Sequence, residues 1–270
     1  MSALDQVGGW DVPTAAAAVV SRDGVRDRHG PTAQAFPLAS VSKVLAAIAV
    51  HVAVEEGSIG LDDPAGPEGS TVRHLLAHAS GLPPDGDRTP LGPPGRKRIY
   101  SNVGFEVLGE HVAASAGMPF DEYAHAALVG PLGLAGTSTA GSPAHGYAST
   151  VDDLATVLVA TVTGRVLAAS TLEAMTTPAF PELAGVLPGF GSQDPNPWGL
   201  GVEVRGAKSP HWTAPDGSER TWGHFGRSGT FVWWDPDADV GLVVLTDRDF
   251  GPWAAEAWPA LSAAVLAEHR

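Results

Sequence analysis

The 270 residues carry 16 Lys+Arg against 30 Asp+Glu, a formal net charge of -14, with 44% hydrophobic and 17% charged residues. That balance excludes a disordered chain and makes nucleic-acid phosphates and anionic membrane surfaces poor partners. Cysteine is absent, which excludes disulfides, thiolate metal sites and cysteine nucleophiles.

The chain starts with Met1–Gly9, which has no basic segment followed by an apolar one, so no signal peptide is expected and a cytoplasmic location follows as the default. No uncharged apolar run reaches membrane-spanning length. Pro13–Ser21 is an Ala/Val-rich run, Arg22-Asp23-Gly24 a turn signal, and Val25–His29 a return strand: a hairpin. After Phe36-Pro37 comes an apolar helix with Ser40 in its first turn and Lys43 three residues on, both on one face. Free N–H groups at a helix start favour developing negative charge there. A lysine buried on a greasy helix loses its proton readily and can then accept one from a serine. By itself the pair is equally compatible with an N-cap serine. Gly57 marks the helix end.

Thr71 is placed to cap a short helix over Val72–His78. His74 and His78, four apart, could share a metal, but no third ligand is evident and no metal is expected. The Pro/Gly-dense stretch Gly81–Gly95 reads as a surface loop that could rim a site, and Arg96-Lys97-Arg98 as a solvated basic run. Tyr100-Ser101-Asn102 precedes a helix over Val103–Ala116, ended by Gly117, and Pro119 suits the start of another over Phe120–Leu128. Thr150 with Asp153, and Ser170 with Glu173, resemble capping boxes. Strand-like runs follow at Trp198–Val204, Thr221–His224, Thr230–Asp235 and Val240–Thr246, the last two joined by an Asp/Pro turn, and a helix over Trp253–Glu268 closes the chain. No linker or internal repeat divides it. One α+β domain over 1–270 is predicted: an antiparallel sheet from 1–35 and 198–270 with the terminal helix, and a mainly helical middle, 36–197.

Ser40-x-x-Lys43, Tyr100-x-Asn102 and His224-Phe225-Gly226 fall in this order, with His74-Leu75-Leu76-Ala77-His78-Ala79-Ser80-Gly81-Leu82, Pro131-Leu132-Gly133-Leu134 and Trp198-Gly199-Leu200-Gly201 around them. Together these motifs resemble the serine β-lactamase and penicillin-binding-protein superfamily, in particular the class C β-lactamase-related branch of esterases, D-aminopeptidases and D-alanyl-D-alanine carboxypeptidases. The resemblance covers nearly the whole chain. It implies the β-lactamase/transpeptidase-like fold, an acyl-enzyme on Ser40, Lys43 holding or taking its proton, and Tyr100 as a second general base whose pKa nearby positive charge would lower. It further implies Asn102 bonding both Lys43 and substrate, His224 facing the site, Gly226 leaving room for substrate at a strand edge, and the Arg227 and Ser40 N–H groups forming an oxyanion hole. From the residues alone, Tyr100 could equally be a core aromatic and Asn102 a turn or cap residue.

Efficient class C β-lactamases carry Lys-Thr-Gly where this chain has His224-Phe225-Gly226. A neutral histidine is a poorer anchor for a β-lactam carboxylate, and Phe225 lacks a hydroxyl to bond it. The expected activity is therefore cofactor-free hydrolysis of small esters, amides or D-amino-acid peptides. A weak β-lactamase or D,D-carboxypeptidase and an inactive binding protein are the alternatives. The oligomeric state stays open. The compact span from Ser40 to Tyr100 predicts an open pocket.

Overall fold

The computed structural model describes residues 2–270. In chain order the strands and α-helices are β1 (Ala15–Ser21), β2 (Gly24–His29), β3 (Phe36–Pro37), α1 (Ser42–Glu55), α2 (Val72–Leu76), α3 (Asn102–Ala116), α4 (Phe120–Ala124), α5 (Gly130–Leu132), β4 (Ala148–Ser149), α6 (Val151–Val162), α7 (Ala169–Thr176), β5 (Gly185–Leu187), β6 (Gly191–Gln193), β7 (Glu203–Val204), β8 (Trp222–Gly226), β9 (Thr230–Asp235), β10 (Val240–Thr246) and α8 (Pro252–His269). A π-helical turn, His125–Val129, joins α4 to α5, so the predicted Phe120–Leu128 helix is broken.

The main sheet has six antiparallel strands in the order β2-β1-β10-β9-β8-β7. It is the β-lactamase/transpeptidase-like α+β arrangement that the motif order implies. The first hairpin therefore lies against the last, with Val20 opposite Gly241. Successive side chains on a strand face opposite ways. Ala16, Ala18, Val20, Val232, Trp234, Val243 and Leu245 join the core formed with α1, α3 and α6. Ala17, Val19, Phe231, Trp233, Leu242 and Val244 join a second core under α8. Burial on both faces explains why β9 and β10 are continuous apolar runs, whereas edge strand β2 alternates with exposed residues.

Local signals account for most boundaries. Gly57 and Gly117 end α1 and α3 at φ +73° and +70°, conformations that cost other residues more. Thr150 accepts the Asp153 N–H at the start of α6. Three expectations fail. Ser170 lies inside α7, whose cap position is Ala168, so its capping box does not form. The Thr71 hydroxyl bonds His74 Nδ1 instead of capping α2, which stops at Leu76. The run from Trp198 pairs as a strand of the main sheet only at Glu203–Val204, because Gly199 and Gly201 pack where a Cβ would meet Met175 and Ala47. Among the described residues, no helix is long and apolar enough to cross a membrane.

Candidate active site

Ser40 stands one turn earlier than the sequence suggests. It occupies a 3-10 turn, Ala39–Val41, and the α-helix begins at Ser42. Ala39 is at φ +45°, a conformation that costs a β-carbon residue about 1–3 kcal/mol and persists only where the surroundings impose it. They do so here. The Leu38 carbonyl accepts from the Thr230 hydroxyl at 2.8 Å, the Pro37 carbonyl from Ser228 at 2.7 Å, and Leu38 N–H donates to the Tyr147 carbonyl at 2.9 Å. Gly226 closes the clamp: a Cβ there would collide with the Leu38 carbonyl oxygen and sit 3.2 Å from the Ala39 Cβ. The glycine that sequence reasoning assigned to substrate room is thus required by the turn carrying Ser40.

Lys43 is fully buried. Its Nζ donates to Asn102 Oδ1 at 2.6 Å and to the Ala144 carbonyl at 2.7 Å, and lies 3.4 Å from Ser40 Oγ. Burial lowers its pKa to about 7, opposed by the negative charges of Asp85 and Glu106. A neutral amine has two N–H bonds and one lone pair. With both N–H bonds taken by Asn102 and Ala144, the lone pair is left for the Ser40 hydroxyl.

Asn102 opens α3, while its neighbour Ser101 caps that helix by accepting the Gly104 N–H at 2.9 Å. The Asn102 amide nitrogen donates to Asp85 Oδ1 at 2.8 Å, which places the Pro/Gly loop at the site rim. Tyr100 packs over Lys43, whose Nζ is 4.7 Å from the ring centroid. Burial drives the phenol pKa well up, and the Ser40 hydroxyl only partly opposes it. The expected lowering by nearby positive charge does not occur, because an amine with a pKa of about 7 has already lost its charge at the pH where a phenol ionises.

His224 lies on the helix-facing side of β8, its Nε2 3.5 Å from the Tyr100 hydroxyl. Its Nδ1 bonds the Phe225 carbonyl at 2.7 Å, so Nδ1 carries the hydrogen and Nε2 is the acceptor. Burial, then the Lys43 charge, lowers its pKa to about 3, and the ring is neutral. Phe225 points the other way. It edges the cavity but packs mainly on Phe250, Trp212 and Trp258 in the core under α8. The Arg227 side chain is 88% exposed, 3.9 Å from Asp249, at the edge of the cavity that Ser40 lines.

Three supports escaped sequence reading. Arg98 is no solvated residue: it is buried and its guanidinium donates to the carbonyls of Ala77, Ala179, Phe180 and Asn196, fixing the strand of chain that ends at Tyr100. His78, past the end of α2 at φ +54°, accepts the Ser101 N–H at 3.1 Å and packs at a tilt against Tyr100, ring centroids 4.7 Å apart. His74 instead stacks on Phe180, so the two histidines do not converge. Behind Trp198, Glu203 is buried with Lys208 at 2.6 Å, His211 at 2.8 Å and Trp212 Nε1 at 2.7 Å. Burial alone would raise this carboxyl; Lys208 and His211 outweigh it and hold it well below the usual carboxylate range. The partners of Glu203 lie within nine residues of it, and the loop that follows β7 folds them back onto its carboxylate.

Ser40, Tyr100, Asn102, Trp198 and His224 surround a cavity of about 300 Å³, small for a ligand site, and Ser40 is half-buried rather than roofed over. A larger groove of about 670 Å³ between α7 and the β7–β8 edge contains none of these residues.

A fold that clamps a Ser-x-x-Lys turn between a Tyr-x-Asn segment and a sheet edge defines the class. Residues 5–267 match the Beta-lactamase family, and the chain belongs to it. It is 53% identical to a β-lactamase from Mycobacterium bovis, with 99% of each chain covered and a TM-score of 0.98. The fold is also shared with EstCE1, a hydrolase with promiscuous acyltransferase activity (18% identity, 98% and 96% covered, TM-score 0.80). A D-stereospecific amidohydrolase from Streptomyces sp. shares it too (21%, 97% and 96%, TM-score 0.74). No curated protein matches the chain.

Proposed function

We propose that this protein is a serine hydrolase that cleaves small carboxylic esters or amides, D-amino-acid peptides among them, through an acyl-enzyme on Ser40. The observation that carries the reading is the Lys43 arrangement: two N–H bonds occupied, a pKa near neutrality, and the Ser40 hydroxyl at 3.4 Å. Ser40 Oγ attacks the carbonyl as its proton passes to Lys43. The oxyanion is held by the N–H groups of Ser40 and Arg227. As the tetrahedral intermediate collapses, the Tyr100 hydroxyl gives its proton to the departing alcohol or amine and regains one from Lys43. Water then attacks the ester by the reverse route and frees the acid. With its phenol pKa raised, Tyr100 serves as a neutral relay oriented by His224, and Lys43 is the base. Every proton is handled by this chain's own groups and water.

Ser40→Ala removes the nucleophile and is expected to cut p-nitrophenyl butyrate turnover by about 10³-fold or more. Equal rates in variant and wild type would remove the proposal. A second reading, weak β-lactamase or D,D-carboxypeptidase action, is favoured by the 53% identity to the Mycobacterium bovis protein described as a β-lactamase. Against it stand His224 and Phe225, neither of which offers a β-lactam carboxylate a charge or a hydroxyl. Nitrocefin hydrolysis at rates matching the best ester would favour this second reading. Absence of Ser40 labelling by a fluorophosphonate would favour an inactive binding protein.

A further inference from the structure

The cavity beside Ser40 is unevenly charged. Its charged lining residues are Asp85, Glu203 and Arg227. Glu203 is 2% exposed and both its oxygens are engaged, Oε1 by Lys208 and His211 and Oε2 by Trp212, so it presents no free charge to a ligand. The Arg227 side chain, at the cavity edge, is 88% exposed and lies 3.9 Å from Asp249, whose opposite charge offsets it. His224 is neutral, as its Nδ1–H is spent on the Phe225 carbonyl. Asp85 differs. It is exposed, lies on the rim, and is tethered through Oδ1 to the amide of Asn102 at 2.8 Å, while the same Asn102 holds Lys43 at 2.6 Å. Its carboxylate is therefore fixed within one side chain of the lysine that would drive the reaction, and once Lys43 is neutral the remaining cation on the cavity wall is the exposed Arg227 beside Asp249.

We propose that Asp85 is the charge-selecting residue of this site, making the cavity favour substrates that carry an ammonium group, or none, over substrates that carry a carboxylate. The inference rests on the serine-hydrolase reading for the identity of the site, but the selection itself is a property of binding. A unit charge a few ångströms from a tethered carboxylate, in partly solvated surroundings, gains or loses enough for about a tenfold separation of cation from anion. Salt narrows that separation, because the carboxylate is exposed. The molecule's overall negative charge acts in the same direction, so the local contribution has to be read from Asp85 itself.

The test uses the full chain carrying Ser40→Ala, which binds without consuming ligand. Calorimetry compares anilides of 4-aminobutyric, pentanoic and glutaric acid, which place the charge on the acyl half. A second series, acetanilides with a para aminomethyl, ethyl or carboxymethyl group, places it on the amine half. In at least one series the cation is expected to bind about tenfold more tightly than the anion. Adding Asp85→Asn, which keeps an oxygen for Asn102 to donate to, is expected to shrink the gap to about twofold. Equal affinities in both series, no binding by any of the six compounds, or a gap that survives Asp85→Asn each overturn the proposal. Turnover by the wild-type protein is scored separately: charge-ordered binding without turnover would sink the hydrolase reading and leave the selection standing.

Discussion

Lys43 is where sequence, burial and chemistry meet most tightly. A lysine in water is protonated to about pH 10.5; this one, stripped of water, loses its proton near pH 7. In the proposed reaction the neutral form is the base, so kcat/KM is expected to be flat above about pH 7 and to fall about tenfold per pH unit below it. A profile flat from pH 5 to 8 would show that Lys43 is not the base. The same shift has a stability sign. Between about pH 7 and 10.5 the unfolded chain holds a proton that the folded chain has shed, so this group's contribution to stability rises with pH across that window. Gly226 offers a steric test of the site. Gly226→Ala adds a methyl that must displace the Leu38 carbonyl. Turnover is expected to fall about 100-fold, with a smaller loss in thermal midpoint, because the Ser40 turn shifts while the cores do not. Normal kinetics would show that the clamp does not set the nucleophile.

At the scale of elements, the site depends on how three segments are held against one another: the Ser40 turn, the stretch before α3 and the end of β8. Hydrogen bonds from Ser228 and Thr230, and one from Leu38 to the Tyr147 carbonyl, fix the first, and Arg98 fixes the second. Arg98→Ala leaves up to three carbonyls, those of Ala77, Ala179 and Asn196, without a donor and is expected to cost about 3–5 kcal/mol, seen as a lower urea midpoint. Arg98→Lys is expected to recover less than half of that, because an ammonium cannot span carbonyls from three separate segments as a guanidinium fork does. Full rescue by lysine would mean that charge, not geometry, is what Arg98 supplies. Helix starts and stops were readable at Gly57, Gly117 and Thr150, where one residue's backbone freedom or hydroxyl settles the boundary. Ser170 had the same letters as a cap and lies inside its helix, because packing of α7 decides where it begins.

For the whole molecule, the sheet ties the two ends of the chain together. Strand β1 pairs with β10 along its full length, and its side chains enter both cores. A chain starting at residue 31 keeps every candidate site residue yet exposes the β10 edge and opens both cores. It is expected to lose cooperative thermal unfolding and all ester turnover; a folded, active truncated chain would show that the first hairpin is dispensable.

How much was legible follows from the range of each interaction. Sheet from the two ends, helices in the middle, and the last hairpin to the residue could be read from periodicity and turn chemistry, because these are local preferences. Ser40, Lys43, Tyr100, Asn102 and His224 could be nominated because each belongs to a short pattern, and the fold does bring Ser40, Tyr100, Asn102 and His224 around one cavity with Lys43 buried against Asn102. The sequence by itself thus determined which groups are available. Only the tertiary structure decided what those groups are: burial brings the Lys43 pKa down to about 7, burial keeps Tyr100 neutral, and strand alternation sends Phe225 away from His224. The charge on Arg98 pointed to solvent, whereas the carbonyls that hold it inside come from residues 77, 179, 180 and 196. Desolvation and long-range hydrogen bonding depend on neighbours distant in the chain, and no local pattern encodes them.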